Sequence, residues 1–364
     1  MGPTRRITAP GRVNLIGDHT DYNRGVALPL AIDLGTTVEF TANDSRHLTF
    51  FSTLYPEGIV LPRNLPLDPV VLGTLEPDWA RMVGSMIAIV RPEVGGVGRI
   101  GTTLPVGAGL SSSAALMVAL AEILGATGSP RTIATLVQQS EIFSGVPVGS
   151  MDPLVCAGGV AGHALFMDFD RGTTEPVPIP EEAELVVVDS GVHRSLHTSA
   201  YAARVAECEA AAVTIGPLGL AEEADVKGLR DPLLERRARH VVGECARVRQ
   251  VVDALREVDL DEVGSLLVES HRSLATDFEV SIPALDELVE RLVATDGVYG
   301  ARLTGAGFGG CAVAVTRPGA VDLDSFPTGA WRVVPSDGTA VAAGRGVELS
   351  GGPDGTPAAV AADG

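Results

Sequence analysis

The feature that most constrains the fold of this chain is a polar segment set between two apolar stretches near the N-terminus. The stretch APGRVNLIGDHTDYNRGVALPLAI covers residues 9–32. Within twelve positions it contains hydrogen-bonding side chains that include Arg12, Asn14, Asp18, His19, Asp21, Tyr22 and Asn23. Residues 5–16 predict a strand, and residues 17–25 predict the loop that follows it. So many polar groups at a strand end indicate either a binding loop or a polar capping and turn network.

Length and composition predict a globular protein of two domains. At 364 residues the chain exceeds what a single core normally fills, and 45% hydrophobic residues exclude a disordered chain. The proline-rich EPVPIPEEAE, residues 175–184, predicts the boundary between an N-terminal domain (1–180) and a C-terminal domain (181–343). Residues 344–364 are rich in Gly, Ala, Pro and Asp and predict a disordered tail.

Charge and cysteine usage exclude several classes of function. A net charge of -19 disfavours nucleic acid and anionic membranes as partners, because phosphate contacts need clustered Lys and Arg. The sequence shows neither an apolar run of membrane-spanning length nor a secretory signal, so we expect a cytoplasmic protein. The four cysteines are widely spaced, which predicts buried reduced thiols rather than a zinc or redox site.

Hydrophobic periodicity predicts both helices and strands. Helices are predicted at residues 79–90, 116–124, 133–143, 201–214, 233–258 and 260–275. Beyond the first strand, strands are predicted at residues 27–41, 48–51, 162–169, 184–191, 301–304 and 311–316.

A second loop, LPVGAGLSSSAAL at residues 104–116, joins a strand to a helix. Its small residues let the backbone approach a ligand, and the free N–H groups at a helix start bind anions. An ordinary serine-capped helix after a glycine turn would have the same pattern. The loop lacks G-K-[ST], which excludes a Walker P-loop, and the absence of H-R-D and D-F-G excludes the protein-kinase fold.

A third loop, LTGAGFGGCAVAV at residues 303–315, places several glycines around Phe308 between two strands. A hairpin turn needs only one or two glycines. The excess predicts packing against a ligand or a neighbouring loop, although a tight β-turn remains the simpler alternative.

In this order the three loops resemble the galactokinase family of the GHMP small-molecule kinases. GRVNLIGDHTDYN resembles the galactokinase signature, LPVGAGLSSSAAL the ATP-phosphate loop and LTGAGFGGC the third motif, and the likeness extends from residue 7 to about residue 334. The resemblance implies an α+β fold, with an N-terminal domain like ribosomal S5 domain 2 and a C-terminal ferredoxin-like domain with extra helices. It also implies ATP-dependent phosphorylation of galactose at the anomeric C1 hydroxyl, giving galactose 1-phosphate, by a monomer.

The resemblance assigns roles to particular residues. Asp152 would accept the hydroxyl proton or orient the hydroxyl, and Arg12 would pair with Asp152 and stabilise the transferring phosphoryl group. The implied sugar ligands are Asp18, His19, Asp21, Gly149 and Tyr201. The implied ATP-binding residues are Trp79, Gly107, Ala108, Gly109, Leu110, Ser111, Ser112, Ser113 and Ala114.

Mg²⁺ would accompany ATP, held by Ser112 and Glu141, because this ion prefers hard oxygen ligands. Each of these assignments has a structural alternative. Glu141 could be an exposed helix-face glutamate, Trp79 and Met82 part of a core helix stripe, and Tyr201 a buried helix tyrosine. His193 and His197 have i, i+4 spacing that could hold a metal, but without a third ligand nearby we interpret them as surface or structural residues.

The chain departs from the family pattern at two positions. Galactokinases usually have Glu, reaching the C6 hydroxyl, where this chain has Asp18. The shorter side chain leaves either a water-bridged contact or a substrate that differs at C6, such as L-arabinose. The family commonly has Gln where this chain has Pro153, and proline supplies no side-chain hydrogen bond to orient Asp152.

Other functions remain open at this stage. One is a GHMP kinase for L-arabinose, N-acetylgalactosamine or galacturonate, although a uronate would face Asp18 without an obvious cation. Acid substrates of the mevalonate type are disfavoured, since basic residues would bind them better than GDHTDYN. The other is a non-catalytic galactose and ATP sensor, which the intact run at residues 111–115 disfavours.

Overall fold

Three sheets and their flanking helices make up the computed structural model, which describes residues 2–105, 107–144, 149–192 and 198–344. The strands are β1 (Thr4–Asn14), β2 (Val26–Ala27), β3 (Pro29–Asn43), β4 (His47–Ser52), β5 (Tyr55–Pro62), β6 (Gly95–Thr102), β7 (His163–Asp168), β8 (Thr173–Pro178), β9 (Glu184–Asp189), β10 (Val298–Thr304), β11 (Cys311–Thr316) and β12 (Ala330–Val333). The α-helices are α1 (Pro69–Gly73), α2 (Asp78–Val90), α3 (Ser112–Ile123), α4 (Pro130–Ser144), α5 (Met151–Gly158), α6 (Thr198–Ile215), α7 (Glu223–Val226), α8 (Pro232–Glu257), α9 (Leu260–Thr276), α10 (Pro283–Val293) and α11 (Thr339–Ala342). Short 3-10 helices lie at Asp21–Asn23, Leu218–Leu220 and Leu323–Ser325.

The first sheet has the strand order β1-β3-β6-β4-β5 and carries the N-terminal half of the core. Its pairs are antiparallel except for the parallel pair of β4 and β6. Helix α3 packs against β1 and β3 and is buried along most of its length, as its nearly all-apolar sequence requires. This packing brings the end of β1 next to the start of α3.

The C-terminal sheet has the order β10-β11-β9-β12 and is antiparallel throughout. All six residues of β11 are buried, as expected for a central strand with both faces covered. Helices α6 to α10 connect β9 to β10, and this long helical connection followed by an antiparallel strand pair fits the expected ferredoxin-like unit with extra helices.

The predicted boundary near residue 180 stays a prediction. Strand β8 occupies the first part of the proline-rich segment and pairs with β7, while β9 begins the C-terminal sheet. After β12 the chain returns to the N-terminal half, where Asp33 N donates to Val334 O at 3.1 Å and Gly338 N donates to Gly159 O at 2.8 Å. The proposed tail lies outside the described residues from residue 345 onward.

The predicted helices all occur, but the strand predictions were incomplete. The single strand expected at residues 27–41 is interrupted between β2 and β3, and β5, β6, β8 and β12 were not among the predicted strands. Three of these, β5, β6 and β8, contain glycine or proline, which weaken a strand signal, and β12 has only four residues. All four cysteines are buried, as predicted, and none forms a disulfide.

Candidate active site

The centre of the site is an ion pair between Arg12 and Asp152. Arg12 Nε donates to Asp152 Oδ1 and Arg12 Nη2 donates to Asp152 Oδ2, each at 2.7 Å. This two-pronged geometry is the strongest that arginine and carboxylate form, and it fixes the carboxylate plane. The side chains are 8% and 17% exposed, so the pair is largely shielded from water but still reachable.

Ser111 completes the orientation of Asp152. Its hydroxyl donates to Asp152 Oδ2 at 2.5 Å. Ser111 is the N-cap of α3 and adopts a left-handed backbone conformation with φ of 60°, which is unusual for serine. Strained residues of this kind persist at functional sites where the surroundings hold them in place.

This geometry answers the doubt raised by Pro153. Asp152 lies in the first turn of α5, where a negative charge is favoured by the helix dipole. Three hydrogen bonds from Arg12 and Ser111 then set its direction, so a side chain at position 153 is not needed for that purpose. From the sequence, Ser111 was assigned only to ATP binding, and its bond to Asp152 was missed. Its position immediately before the helix is the sequence feature that could have indicated this second role.

The phosphate loop lies against the same arginine. Arg12 Nη1 donates to Gly109 O at 2.7 Å, and Arg12 N donates to Leu110 O at 3.2 Å. Helix α3 begins at Ser112, which is partly exposed, followed by exposed Ser113, so free N–H groups and hydroxyls are available at the helix start. The other predicted loop residues follow this path: Gly107 is exposed, and Ala108 and Ala114 are buried.

Four of the predicted sugar ligands form two close pairs, His19 with Tyr201 and Asp21 with Gly149. The His19 ring lies 5.8 Å from that of Tyr201 and 4.5 Å from that of Phe278, between ring centroids. A Cβ added to Gly149 would come within 2.4 Å of Asp21 Oδ2, so the backbone there approaches the Asp21 carboxylate closely. This arrangement presents an imidazole, a carboxylate and a phenol to one small region.

The charges of these groups are coupled. Burial, together with the negative charge of Asp152, raises the pKa of Asp21 to about 6. Burial also raises the pKa of Tyr201, and the charges of Asp21 and Asp152 act in the same direction. Asp21, Asp152 and Tyr201 therefore lie near enough to influence one another electrostatically, and their contacts with a sugar stay a prediction.

Asp18 differs from the other predicted sugar ligands. It is 4% exposed, Arg302 Nη2 donates to its Oδ2, and Gly305 N donates to its Oδ1 at 3.0 Å. Both carboxylate oxygens therefore have partners within the protein. A direct contact with the sugar stays a prediction, and this geometry does not favour it.

The predicted metal ligand Glu141 is buried, at 2% exposure, and is not the exposed helix-face residue of the structural alternative. Burial and the charge of Asp152 raise its pKa to about 8. A cation beside it would favour the ionised carboxylate, and oxygen donors of this kind suit Mg²⁺. Within the described residues, no group of three or more His, Cys, Asp and Glu could hold a metal ion.

Trp79 belongs to the core of the N-terminal half. It is 5% exposed, and the half-exposed Tyr55 stacks on it with ring centroids 5.5 Å apart and planes at 7°. Its contact with adenine stays a prediction. Tyr55 was not singled out from the sequence, because it lies on a strand that was not predicted. His193 and His197 lie outside the described residues.

The third loop packs against neighbouring segments. Phe308 N donates to Val280 O at 2.6 Å, and Gly310 N donates to Val192 O at 3.0 Å. Gly307 has φ of +78°, and a Cβ there would lie 2.4 Å from Val280 O. The excess glycine is thus explained by close approach of backbone segments, one of the two outcomes expected.

Comparison with known proteins identifies the family. Residues 2–41 match the galactokinase galactose-binding signature, residues 81–159 the GHMP kinase N-terminal domain and residues 251–323 the GHMP kinase C-terminal domain. Over 335 residues the chain is 40% identical to galactokinase from Homo sapiens, covering 87% of this chain and 85% of that protein. The chain belongs to the galactokinase family. It is therefore a kinase of the GHMP superfamily that uses ATP as a substrate. Galactokinase from Chloroflexus aggregans is 39% identical over 344 residues, covering 88% of this chain and 86% of that protein.

Solved structures agree with the family assignment. The crystal structure of Lactococcus lactis galactokinase complexed with galactose has a TM-score of 0.83 and 28% identity, covering 92% of this chain and 94% of that chain. Methanococcus jannaschii mevalonate kinase, at 18% identity and TM-score 0.66, covering 92% of this chain and 99% of that chain, shares the fold. The two-domain α+β GHMP fold expected from the sequence is confirmed. In the part of the chain that the structure describes, no helix is both long and apolar enough to cross a membrane.

Proposed function

We propose that this member of the galactokinase family transfers the terminal phosphoryl group of ATP to the anomeric C1 hydroxyl of galactose, giving galactose 1-phosphate and ADP. The observation that carries this proposal is the convergence of Arg12, Asp152 and Ser111, which joins the galactose-binding signature to the start of the serine-bearing helix. The galactokinase relatives favour galactose over L-arabinose, N-acetylgalactosamine and galacturonate.

The sugar would be held by His19, Asp21, Gly149 and Tyr201. A hexose presents hydroxyls that both donate and accept, and the Asp21 carboxylate would accept from the C3 and C4 pair. An epimer with a misplaced hydroxyl would leave a partly buried charge without its partner, which costs affinity.

Asp152 and Arg12 would act on the reacting atoms. As the C1 oxygen forms its bond to the terminal phosphorus and the bond to the ADP oxygen breaks, the hydroxyl proton passes to Asp152. Because the transition state is loose, that proton leaves late and Asp152 serves mainly to aim the hydroxyl. Arg12 keeps its cation beside the transferring group, and no reorganisation is needed at the moment of reaction.

The phosphates of ATP would lie along the phosphate loop, residues 107–110, and at the N-terminus of α3, whose N–H groups and Ser112 hydroxyl face the anion. Mg²⁺ would be held by Ser112 and Glu141 and would neutralise charge on the phosphates. Trp79 would lie at the adenine end. The Ser111 hydroxyl would both belong to the ATP-binding loop and hold the Asp152 carboxylate in position.

A coupled assay of ADP release across galactose, glucose, galactosamine, L-arabinose and galacturonate tests the proposed reaction. We expect the highest kcat/KM with galactose, and NMR of the product should show phosphate at C1. Absence of sugar-dependent ADP release would instead indicate a sensor, and a higher kcat/KM with another sugar would assign a different substrate.

Compartment and assembly are also proposed. The four buried free thiols fit a reducing compartment such as the cytoplasm. We expect a monomer, so light scattering after size exclusion should give a mass near the 37.5 kDa of one chain. A mass of twice that value would contradict this expectation.

A further inference from the structure

A buried set of charged residues anchors the galactose-binding loop to the C-terminal half of the molecule. We define this anchoring network as Asp18, Glu244, Arg247, Ser270 and Arg302. Arg302 lies on β10 and is fully buried. It donates through Nη1 to Leu15 O at 3.1 Å and through Nη2 to Asp18 Oδ2, and Nη2 lies 3.7 Å from Glu244 Oε1.

Glu244 forms the second half of the network. This fully buried residue of α8 accepts from Gly17 N at 3.0 Å and from the Ser270 hydroxyl at 2.7 Å. Arg247 donates to its other oxygen at 2.9 Å. Burial alone would raise the pKa of Glu244, but the charges of Arg302 and Arg247 lower it to about 2, so the carboxylate is ionised.

The network holds the backbone of the loop as well as one side chain. Leu15 O and Gly17 N are both bonded to it, and Asp18 O accepts from His240 Nε2 at 3.3 Å. His19 follows directly with φ of +66°, a conformation that costs energy in any residue with a side chain. Such a conformation persists only where the surroundings enforce it, and the network surrounds the residues just before it.

Both oxygens of Asp18 are committed to this network and to the third loop, through Arg302 and Gly305 N. Burial raises the pKa of Asp18, and the charge of Arg302 beside it acts in the opposite direction. A sugar hydroxyl would therefore have to compete with these hydrogen bonds within the protein in order to bind the Asp18 carboxylate.

We propose that Asp18 is a positioning residue that does not contact the sugar: with Arg302 and Glu244 it holds residues 15–18 so that His19 and Asp21 face the substrate. The C6 hydroxyl of the hexose is then left without a carboxylate partner at position 18. This proposal rests on galactose being the substrate, as argued above.

The test compares galactose with 6-deoxygalactose, which lacks only the C6 hydroxyl, in wild type and Asp18→Asn. Because the variant keeps the side-chain shape but replaces one accepting oxygen with an NH2 group that cannot accept from Arg302 or Gly305 N, we expect kcat/KM to fall about tenfold or more for both sugars. Their ratio should stay within about twofold of the wild-type ratio, because the lost interaction is remote from C6. KM for ATP should change less than KM for either sugar.

Several results would overturn the proposal. A loss confined to galactose would show that Asp18 contacts the C6 hydroxyl, and unchanged kinetics for both sugars would show that it positions nothing. If 6-deoxygalactose neither reacts with nor inhibits the wild type, the C6 hydroxyl is required for binding. That result would also contradict the proposal. If wild type phosphorylates neither sugar, the proposed function itself fails.

Two further variants separate positioning from folding. Arg302→Lys keeps the positive charge but loses the two-pronged guanidinium group. It should therefore raise KM for galactose less than Arg302→Met does. If Arg302→Met does not fold, shown by circular dichroism, Asp18→Asn and Arg302→Lys still carry the test. Asp253→Asn is the matched control, because Asp253 is an exposed residue of α8 and lies outside the network.

Discussion

At the scale of single residues, the site depends on a few side chains that face several partners at once. Arg12 contacts the Asp152 carboxylate and the Gly109 carbonyl of the phosphate loop. Ser111 bonds the same carboxylate from the helix start. Arg12 and Ser111 therefore connect the sugar-binding side of the site with the nucleotide-binding side. Loss of either side chain should lower kcat more than it weakens substrate binding.

Replacement of Asp152 tests the central assignment. We expect Asp152→Asn to lower kcat by about 10²- to 10⁴-fold, because the amide neither accepts the proton nor pairs with Arg12 as a charge. Galactose binding by calorimetry should survive. Asp253→Asn, an exposed change on α8, is the control and should leave kcat as in wild type. Near-normal turnover by Asp152→Asn would remove the assigned role.

The raised pKa of Asp21 predicts how sugar binding depends on pH. Since the pKa lies at about 6, the carboxyl is protonated below that value and loses its capacity to accept two hydroxyls. KM for galactose should therefore rise as the pH falls through about 6, while KM for ATP changes less, measured by the coupled assay from pH 5 to 8. A flat profile for galactose would contradict this prediction.

The same pKa has a consequence for stability of the unliganded protein. The pKa of Asp21 in the folded protein lies above the ordinary aspartate value of 3.8, so between about pH 4 and 6 the native state binds more protons than the unfolded chain. The contribution of Asp21 to the free energy of unfolding therefore declines as the pH rises through this window. At pH 7–8, Asp21→Asn should raise that free energy by about 1–3 kcal/mol, measured by urea titration. A destabilised variant would show that the buried charge is compensated.

At the scale of elements, the third loop and the end of β10 connect the sugar-binding loop with the C-terminal half, through Gly305 and Thr304. The third loop is bonded to residues 280 and 192 through Phe308 N and Gly310 N. The strand ends also meet, because the Thr304 hydroxyl donates to Asn14 O at 2.9 Å and lies 3.2 Å from Asn14 N. We therefore expect the placement of the sugar-binding loop to depend on the conformation of the third loop, which follows Thr304, 290 positions from Asn14.

A pair of glycine replacements measures this sensitivity. Gly307 and Gly319 have nearly the same φ, +78° and +76°, but a Cβ at position 307 would meet Val280 O whereas position 319 is open. Gly319→Ala should cost about 1–2 kcal/mol of unfolding free energy from backbone strain alone. Gly307→Ala should cost more than that and lower kcat/KM for galactose, checked by thermal melts and kinetics. Equal effects of the two replacements would show that the third loop tolerates displacement.

At the scale of the whole molecule, the chain closes on itself after the C-terminal sheet. Residues 334–344 return across β3 and the end of α5, with backbone bonds to Ala31, Asp33 and Gly159. Helix α11 lies against α5, and the Thr339 hydroxyl donates to Glu122 Oε1 at 2.6 Å in a buried setting. This segment therefore fastens the C-terminal half to the helix that presents Asp152.

Two shortened chains test the fastening segment. A chain ending after Gly344 should keep the stability and activity of the full chain, as expected if residues 345–364 form the disordered tail. A chain ending after Val333 loses the bonds just described, at about 1 kcal/mol each, and should melt at a clearly lower temperature. Equal melting temperatures for the two chains would show that the segment does not stabilise the fold.

Much of the architecture could be predicted from the sequence because its signals are local. The stripe of apolar residues in α2 and the apolar runs of β9 and β11 are properties of adjacent positions, and each predicted its element. Strand β6, with glycines at four of its eight positions, had no such signal, since its conformation depends on pairing with β3 and β4.

By itself the sequence determined the family, the order of the three loops and the residue types of the site. These can be recognised from motifs, which are made of residues adjacent in the chain. Only the tertiary structure decided which of those residues contact one another. The bond from Ser111 to Asp152 spans 41 positions and the bond from Arg302 to Asp18 spans 284. Such pairs form only when packing brings their elements together, and burial then decides whether a carboxylate such as Asp18 faces a ligand or the protein interior.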